Sequence, residues 1–180
     1  MTVVAQLIFD FDGQALFEAL DAQRTARGLS WRQVADEIWA LSAELNDRRR
    51  DHPISPSTIT NIAKRRATSC QHALFYLRWL GRTPESFLAA PAGQVIEGQL
   101  PAAGPDRRLR WNLRKLYEAL DERRRAEQLT WAQLARFLGW TPNQLTALRT
   151  ARFGTGMNVA MSIVQWLERP AADFIYLARW

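Results

Sequence analysis

The chain repeats itself at a shift of 100 residues, and this repeat limits the possible folds more than any other feature. Leu16–Ala35 (LFEALDAQRTARGLSWRQVA) and Leu116–Ala135 (LYEALDERRRAEQLTWAQLA) are identical at eleven of twenty positions. Leu16, Glu18, Ala19, Leu20, Asp21, Arg24, Ala26, Leu29, Trp31, Gln33 and Ala35 all recur, while Phe17/Tyr117, Ser30/Thr130 and Val34/Leu134 differ mildly. Such self-similarity predicts two copies of one small fold in tandem. Each copy would hold about 75–90 of the 180 residues. Domains that small bury only ~60% of the surface an unfolded chain exposes, so bulky side chains must fill the core. The eight Trp suit that need.

Between the copies, Pro91–Pro105 holds three Pro and three Gly in fifteen residues and reads as a linker with room for a short extended piece at Val95-Ile96. The expected division is an N-terminal domain over 1–90 (with an arm and an insertion at 40–54), a linker over 91–107, and a C-terminal domain over 108–180. Elsewhere the apolar spacing is helical, which predicts an all-α chain with five helices per copy. The first helices span about Gly13–Arg27 and Leu109–Glu127. The second open on the capping boxes Ser30-Trp-Arg-Gln33 and Thr130-Trp-Ala-Gln133, and Leu29/Val34 and Leu129/Leu134 staple them. Trp31 and Trp131 at these starts read as packing residues. The third helices open at Ser55-Pro56 and Thr141-Pro142, a hydroxyl cap followed by Pro at the first helical position. Trp79-Leu80 and Trp166-Leu167 mark the fourth, and the fifth end near Phe87-Leu88 and Phe174-Ile175. These later pieces align at a shift of 86–87, which leaves roughly fourteen extra residues in copy one.

In copy two, small Ala135 precedes Gly139 by four residues, where a tight turn calls for positive φ. Leu145 and Leu148 then anchor the third helix. Its outward residues are predicted to be Asn143, Gln144, Thr146, Ala147, Arg149 and Thr150, with Thr141 at the cap and Arg152 just beyond. Amide and hydroxyl groups early in a helix suit base edges in a major groove, with Arg further along for phosphate. Copy one has Trp39 in place of the turn Gly, and the insertion ALSAELNDRRRDHPI (Ala40–Ile54) replaces the turn. The spacing of Ile38, Leu41 and Leu45 predicts that its second helix runs on toward Arg48 and loops back through His52-Pro53. Ile59 and Ile62 match Leu145 and Leu148, and Ser57, Thr58, Thr60, Asn61, Lys64, Arg65 and Arg66 should face outward. The Arg48–Arg50 run suits either phosphate or its own helix dipole.

These residues resemble the Cro/phage-repressor (Xre-type) helix-turn-helix regulators over about 13–88 and 109–176, most closely in QLARFLGWTPNQLTAL (Gln133–Leu148). The resemblance implies two tandem lambda-repressor-like domains that dock on double-stranded DNA, with transcriptional control as the outcome. Trp31 and Trp131 depart from the family, which often places Gln at the start of the second helix to hold a phosphate. Composition points the same way. Residues 1–98 carry 11 Lys+Arg and 11 Asp+Glu, while 99–180 carry 13 and 7, so the net charge of +6 lies in copy two. A basic domain calls for a polyanionic partner. The expected function is sequence-specific DNA binding on a bipartite, asymmetric site. The alternative is an interaction protein, an antitoxin or assembly adaptor in which one or both copies contact protein.

Enzymatic and metal chemistry find little support. Leu7–Gly13 (LIFDFDG) looks like the nucleophile motif of haloacid-dehalogenase-type phosphatases, but Gln14 follows the Gly and no later acidic pair completes a Mg²⁺ site. Asp12 is expected to cap the first helix instead, with Val3–Phe11 packing as an arm on a domain or on a neighbouring chain. A homodimer or protein partner through that arm stays open. Cys70, His72 and His52 are too few for a zinc site, so no metal and no cofactor are expected. The lone Cys, the lack of an apolar run of ~18 residues and the lack of a basic leader suggest a cytoplasmic protein with no membrane contact.

Overall fold

The computed structural model describes residues 6–48, 52–151 and 154–179. Copy one comprises α1 (Gly13–Ala26), α2 (Trp31–Ala40), α3 (Ala43–Asn46), α4 (Pro56–Arg65) and α5 (Cys70–Leu80), closed by a 3-10 turn at Pro84–Phe87. Copy two opens on strand β1 (Arg108–Trp111) and continues through α6 (Leu113–Ala126), α7 (Trp131–Leu138), α8 (Pro142–Thr146) and a 3-10 turn at Ala147–Arg149. It ends in α9 (Met157–Trp166), a 3-10 turn at Ala171–Phe174 and strand β2 (Ile175–Ala178). The chain is mostly helical. No helix of the described residues is long and apolar enough to cross a membrane.

Three expectations need correction. The fold is not strictly all-α, because β1 pairs antiparallel with β2 from Arg108↔Ala178 to Trp111↔Ile175. The helix expected from Leu109 therefore starts at Leu113, where Asn112 accepts from Lys115 N at 2.9 Å. The fifth helices are single 3-10 turns, because the chain must become extended at once. Leu88 bridges to Phe11, and Ile175 enters β2. Finally, α2 stops at Ala40 rather than running toward Arg48. Ser42 is buried there, accepts from Arg78 Nη1 at 2.8 Å and donates to the Arg107 carbonyl at 2.8 Å. A continuous helix would not let that backbone turn toward copy two.

The repeated residues build the same local framework twice. The capping boxes at Ser30/Gln33 and Thr130/Gln133 are both formed. Trp31 stacks on Phe17 at 5.4 Å and lies under Arg24 at 4.9 Å; Trp131 stacks on Tyr117 at 5.7 Å and lies under Arg124 at 4.6 Å. Each Arg also reaches the Asp three residues earlier and the carbonyl of Leu29 or Leu129. Both Trp are therefore packing residues.

The two copies share one core. Cys70 N donates to Thr155 O at 2.8 Å, and Met157 N donates to Thr68 O at 2.9 Å. Ser69 and Gly156 form an antiparallel bridge between these bonds. Thr155, Gly156 and Met157 each sit 87 positions after Thr68, Ser69 and Cys70, so the contact is reciprocal, as across a two-fold axis between identical subunits. The segments before the first helices cross over in the same sense. Gln71 of α5 donates to Leu109 O at 2.8 Å, while Asn158, its counterpart on α9, accepts from Phe11 N at 2.8 Å. Gln165 binds both N and O of Phe9 at 2.9 Å, so the arm packs on copy two of its own chain. The two copies thus pair within one chain as an intramolecular pseudo-dimer.

The linker is not a free tether. Arg78 holds the carbonyls of Ala103 at 2.8 Å and Gly104 at 3.0 Å. A Cβ on Gly98 would lie 2.7 Å from Pro170 Cβ, so the chain needs Gly to pass so close to copy two. The insertion also serves the seam: buried Arg108 of β1 bonds Asn46 and lies 4.5 Å over the Trp39 ring. Trp39, which stands in the place of the turn Gly, thus receives a cation from copy two.

Cys70 sits in the seam, 1% exposed, with its carbonyl bonded by Trp111 Nε1 at 3.1 Å. Burial pushes its thiol up to about 12, so thiolate is scarce at neutral pH. We expect a thiol reagent to label Cys70 only after denaturant opens the chain. Prompt labelling of native protein would show that the seam opens freely.

Candidate nucleic-acid interface

In copy two, α7 ends at Gly139 in the left-handed region (φ 76°), as the turn required. Trp140 in that turn donates to Ser162 Oγ at 2.7 Å, which fastens the turn to α9. Thr141 caps α8, while Leu145 and Leu148 are fully buried against the core. Their burial rolls Asn143, Gln144, Ala147, Arg149 and Thr150 to the surface. Thr146 is half-buried and donates back to Pro142 O at 3.0 Å, which reduces its use for contact. Gln144 carries a local duty: its Oε1 accepts from Thr141 N at 2.9 Å, and its Nε2 stays available as a donor. Asn143 is exposed, and its side chain makes no hydrogen bond to the described residues. Arg152 lies outside the described residues, as do Arg49 and Arg50.

Copy one presents α4 in the same manner, with Ile59 and Ile62 buried beneath it. Ser55 and Thr58 form a reciprocal cap, and Ser57 Oγ lies 2.9 Å from Ser55 Oγ. The hydroxyls of Ser57 and Thr58 are thus engaged at the helix start. Thr58, Thr60 and Asn61, expected to face outward, are half-buried, and Thr60 reaches back to Ser57 O at 3.5 Å. Lys64, Arg65 and Arg66 remain exposed, with Arg66 closing the helix at φ 50°. The outward residues of copy one are therefore basic at the helix end and locally satisfied at its start; copy two has its free amide at the start.

None of the described cations of these faces makes an ion pair with the described residues, whereas most guanidinium groups elsewhere have one. Arg24 is held by Asp21, Arg27 by Glu37, Arg123 by Glu127, Arg124 and Arg125 by Asp121, Arg169 by Asp173. By contrast, Lys64, Arg65, Arg66 and Arg149 make no ion pair with the described residues. Neither do exposed Arg32 on α2 and Arg136 on α7, which the sequence pattern did not single out. Their signal was available: each is an Arg on the polar face of the helix preceding a candidate reading helix. Arg48, Arg78, Arg82, Lys115 and Arg179 likewise make no ion pair with the described residues and lie outside these faces, Arg78, Arg82 and Lys115 bonding backbone carbonyls. The positive residues of the candidate face are thus free for a partner, whereas the basic α6 is largely neutralised within the fold.

Among the described residues, no group of three or more His, Cys, Asp or Glu could hold a metal ion. Asp12 of the Asp-x-Asp-Gly segment accepts from Ala15 N at 2.9 Å and caps α1, the structural duty expected of it. Comparison with family models, curated proteins and solved structures finds no match.

Proposed function

We propose that the chain is a non-enzymatic, sequence-specific binder of double-stranded DNA and a transcriptional regulator, and that it reads DNA through helix-turn-helix units α2–α4 and α7–α8. The observation that carries this reading is the selective freedom of the cations on these faces, on a surface where most other Arg are paired. Exposed Asn143 and the free Nε2 of Gln144 add groups that can pair with adenine edges. The reciprocal seam supports two such units acting together in one chain, as the subunits of a dimer do.

Binding to a random-sequence duplex, followed by fluorescence anisotropy at about 50 and 200 mM salt, tests the proposal. The full chain should bind at low salt and weaken steeply as salt rises. Replacing Lys64, Arg65 and Arg66 together by Ala should make the slope of log affinity against log salt shallower, by about 0.9 for each phosphate that is no longer neutralised. A chain that ignores duplex at low salt would instead support the interaction-protein reading.

A further inference from the structure

A cavity of about 400 Å³ lies where the arm, the linker and the end of α9 meet. Leu7, Phe9, Val95, Ile96 and Val164 supply apolar wall. Leu7 and Ile96 are 67% and 52% exposed, so part of that wall is bare to water. Gln6, Gln94, Gln165, Glu168 and Arg169 add polar lining, and Glu85, from the 3-10 turn of copy one, is the buried acid among them, only 7% exposed. Its Oε1 accepts from Ala171 N at 2.6 Å, whereas its buried Oε2 has no hydrogen-bond partner among the described residues.

That unpartnered oxygen is unusual, because a buried carboxylate without a cation is costly. Arg169, the cation in the lining, pairs instead with Asp173 at 2.8 Å. The turn itself does not need an acid. Copy two builds the equivalent turn with Ala172 at the matching position. Burial raises the Glu85 carboxyl above the usual range; the Ala171 N–H opposes this, and the Glu97 carboxylate adds to it. The volume lies within the ~300–1,000 Å³ of small-molecule sites, which combine apolar walls with a few placed polar groups.

We propose that this cavity binds a small organic cation: an ammonium or amidinium group on an aromatic or branched apolar body. The charged group sits against the Glu85 carboxylate, and the body covers Phe9, Val95, Ile96 and Val164. Arm, linker, α9 and Glu85 come from both copies and the segment joining them, so the ligand bridges the pseudo-dimer. The site stands independently of DNA binding.

Tryptamine, tryptophol and indole-3-acetate share one aromatic body with a cationic, neutral or anionic tail. Titrated into the full chain by calorimetry, tryptamine should bind at or below ~1 mM. The other two should bind at least about tenfold more weakly. E85Q keeps the acceptor for Ala171 N and removes the charge; it should weaken tryptamine at least about tenfold with an unchanged thermal melt. Should E85Q melt early, Ile96→Trp narrows the mouth from an exposed position and should give the same loss with Glu85 intact. Equal binding of indole-3-acetate, full tryptamine affinity in whichever of these variants folds, or no tryptamine binding at ~10 mM would each overturn the proposal.

Discussion

Trp111→Ala should lower the unfolding free energy by about 3–5 kcal/mol, the usual cost of removing a buried large aromatic. Trp111 is 6% exposed, ends the β1–β2 ladder opposite Ile175 and donates to Cys70 O across the seam. Its loss leaves a cavity and removes the bond that ties the first carbonyl of α5 to the other copy. The consequence reaches beyond one copy because the core is continuous. Leu109, Trp111, Met157 and Val159 belong to the same buried cluster as Cys70, Ala73, Leu74 and Leu77. Denaturant unfolding of the intact chain should then be a single transition, and Trp111→Ala should shift it whole. Two separable transitions, with only the later copy displaced, would mean that the copies fold independently.

How much of this was legible in the sequence depends on whether the signal was local. The caps at Ser30, Ser55, Thr130 and Thr141, the turn at Gly139, and the buried pairs Ile59/Ile62 and Leu145/Leu148 all follow from spacing within a few residues. Period and cap chemistry carry that information directly. The seam was invisible for the opposite reason. Thr68–Cys70 and Thr155–Met157 recognise each other through backbone groups, which any sequence supplies. The Pro/Gly segment correctly signalled an absence of helix, and nothing in it announced that Arg78 would pin Ala103 and Gly104. Leu109–Trp111 had helical apolar spacing but is claimed by β2, a tertiary override of a local pattern. In the candidate site the exposed ends were predictable and local engagement was not: Thr58 is half-buried and Gln144 exposed, and both spend side-chain oxygens on their own caps, while Thr60, Asn61 and Thr146 are half-buried too.

If the chain reads DNA as proposed, that engagement sharpens what its site should look like. The reciprocal bonds Cys70 N–Thr155 O and Met157 N–Thr68 O set one copy against the other as in an isologous dimer. Two helix-turn-helix units so related read half-sites in inverted orientation, with centres one helical turn, ~34 Å, apart in the usual arrangement. A single chain should therefore protect an inverted repeat at one chain per site. The halves should carry unequal information. The unit α7–α8 offers Asn143, free and exposed, where a bidentate amide–adenine pair discriminates by ~1–3 kcal/mol. The unit α4 has committed Ser57 and Thr58 to its cap and offers chiefly Lys64, Arg65 and Arg66, which contact phosphate without reading sequence. Asn143→Ala should thus cost ~1–3 kcal/mol on the selected site and relax preference in one half only. It is a cleaner probe than Gln144→Ala, which also removes a cap to Thr141 N. Selection of sites from random DNA by the full chain decides the matter. A perfect palindrome bound by two chains, or a direct repeat bound by one, would show that the pseudo-dimer is not the reading unit.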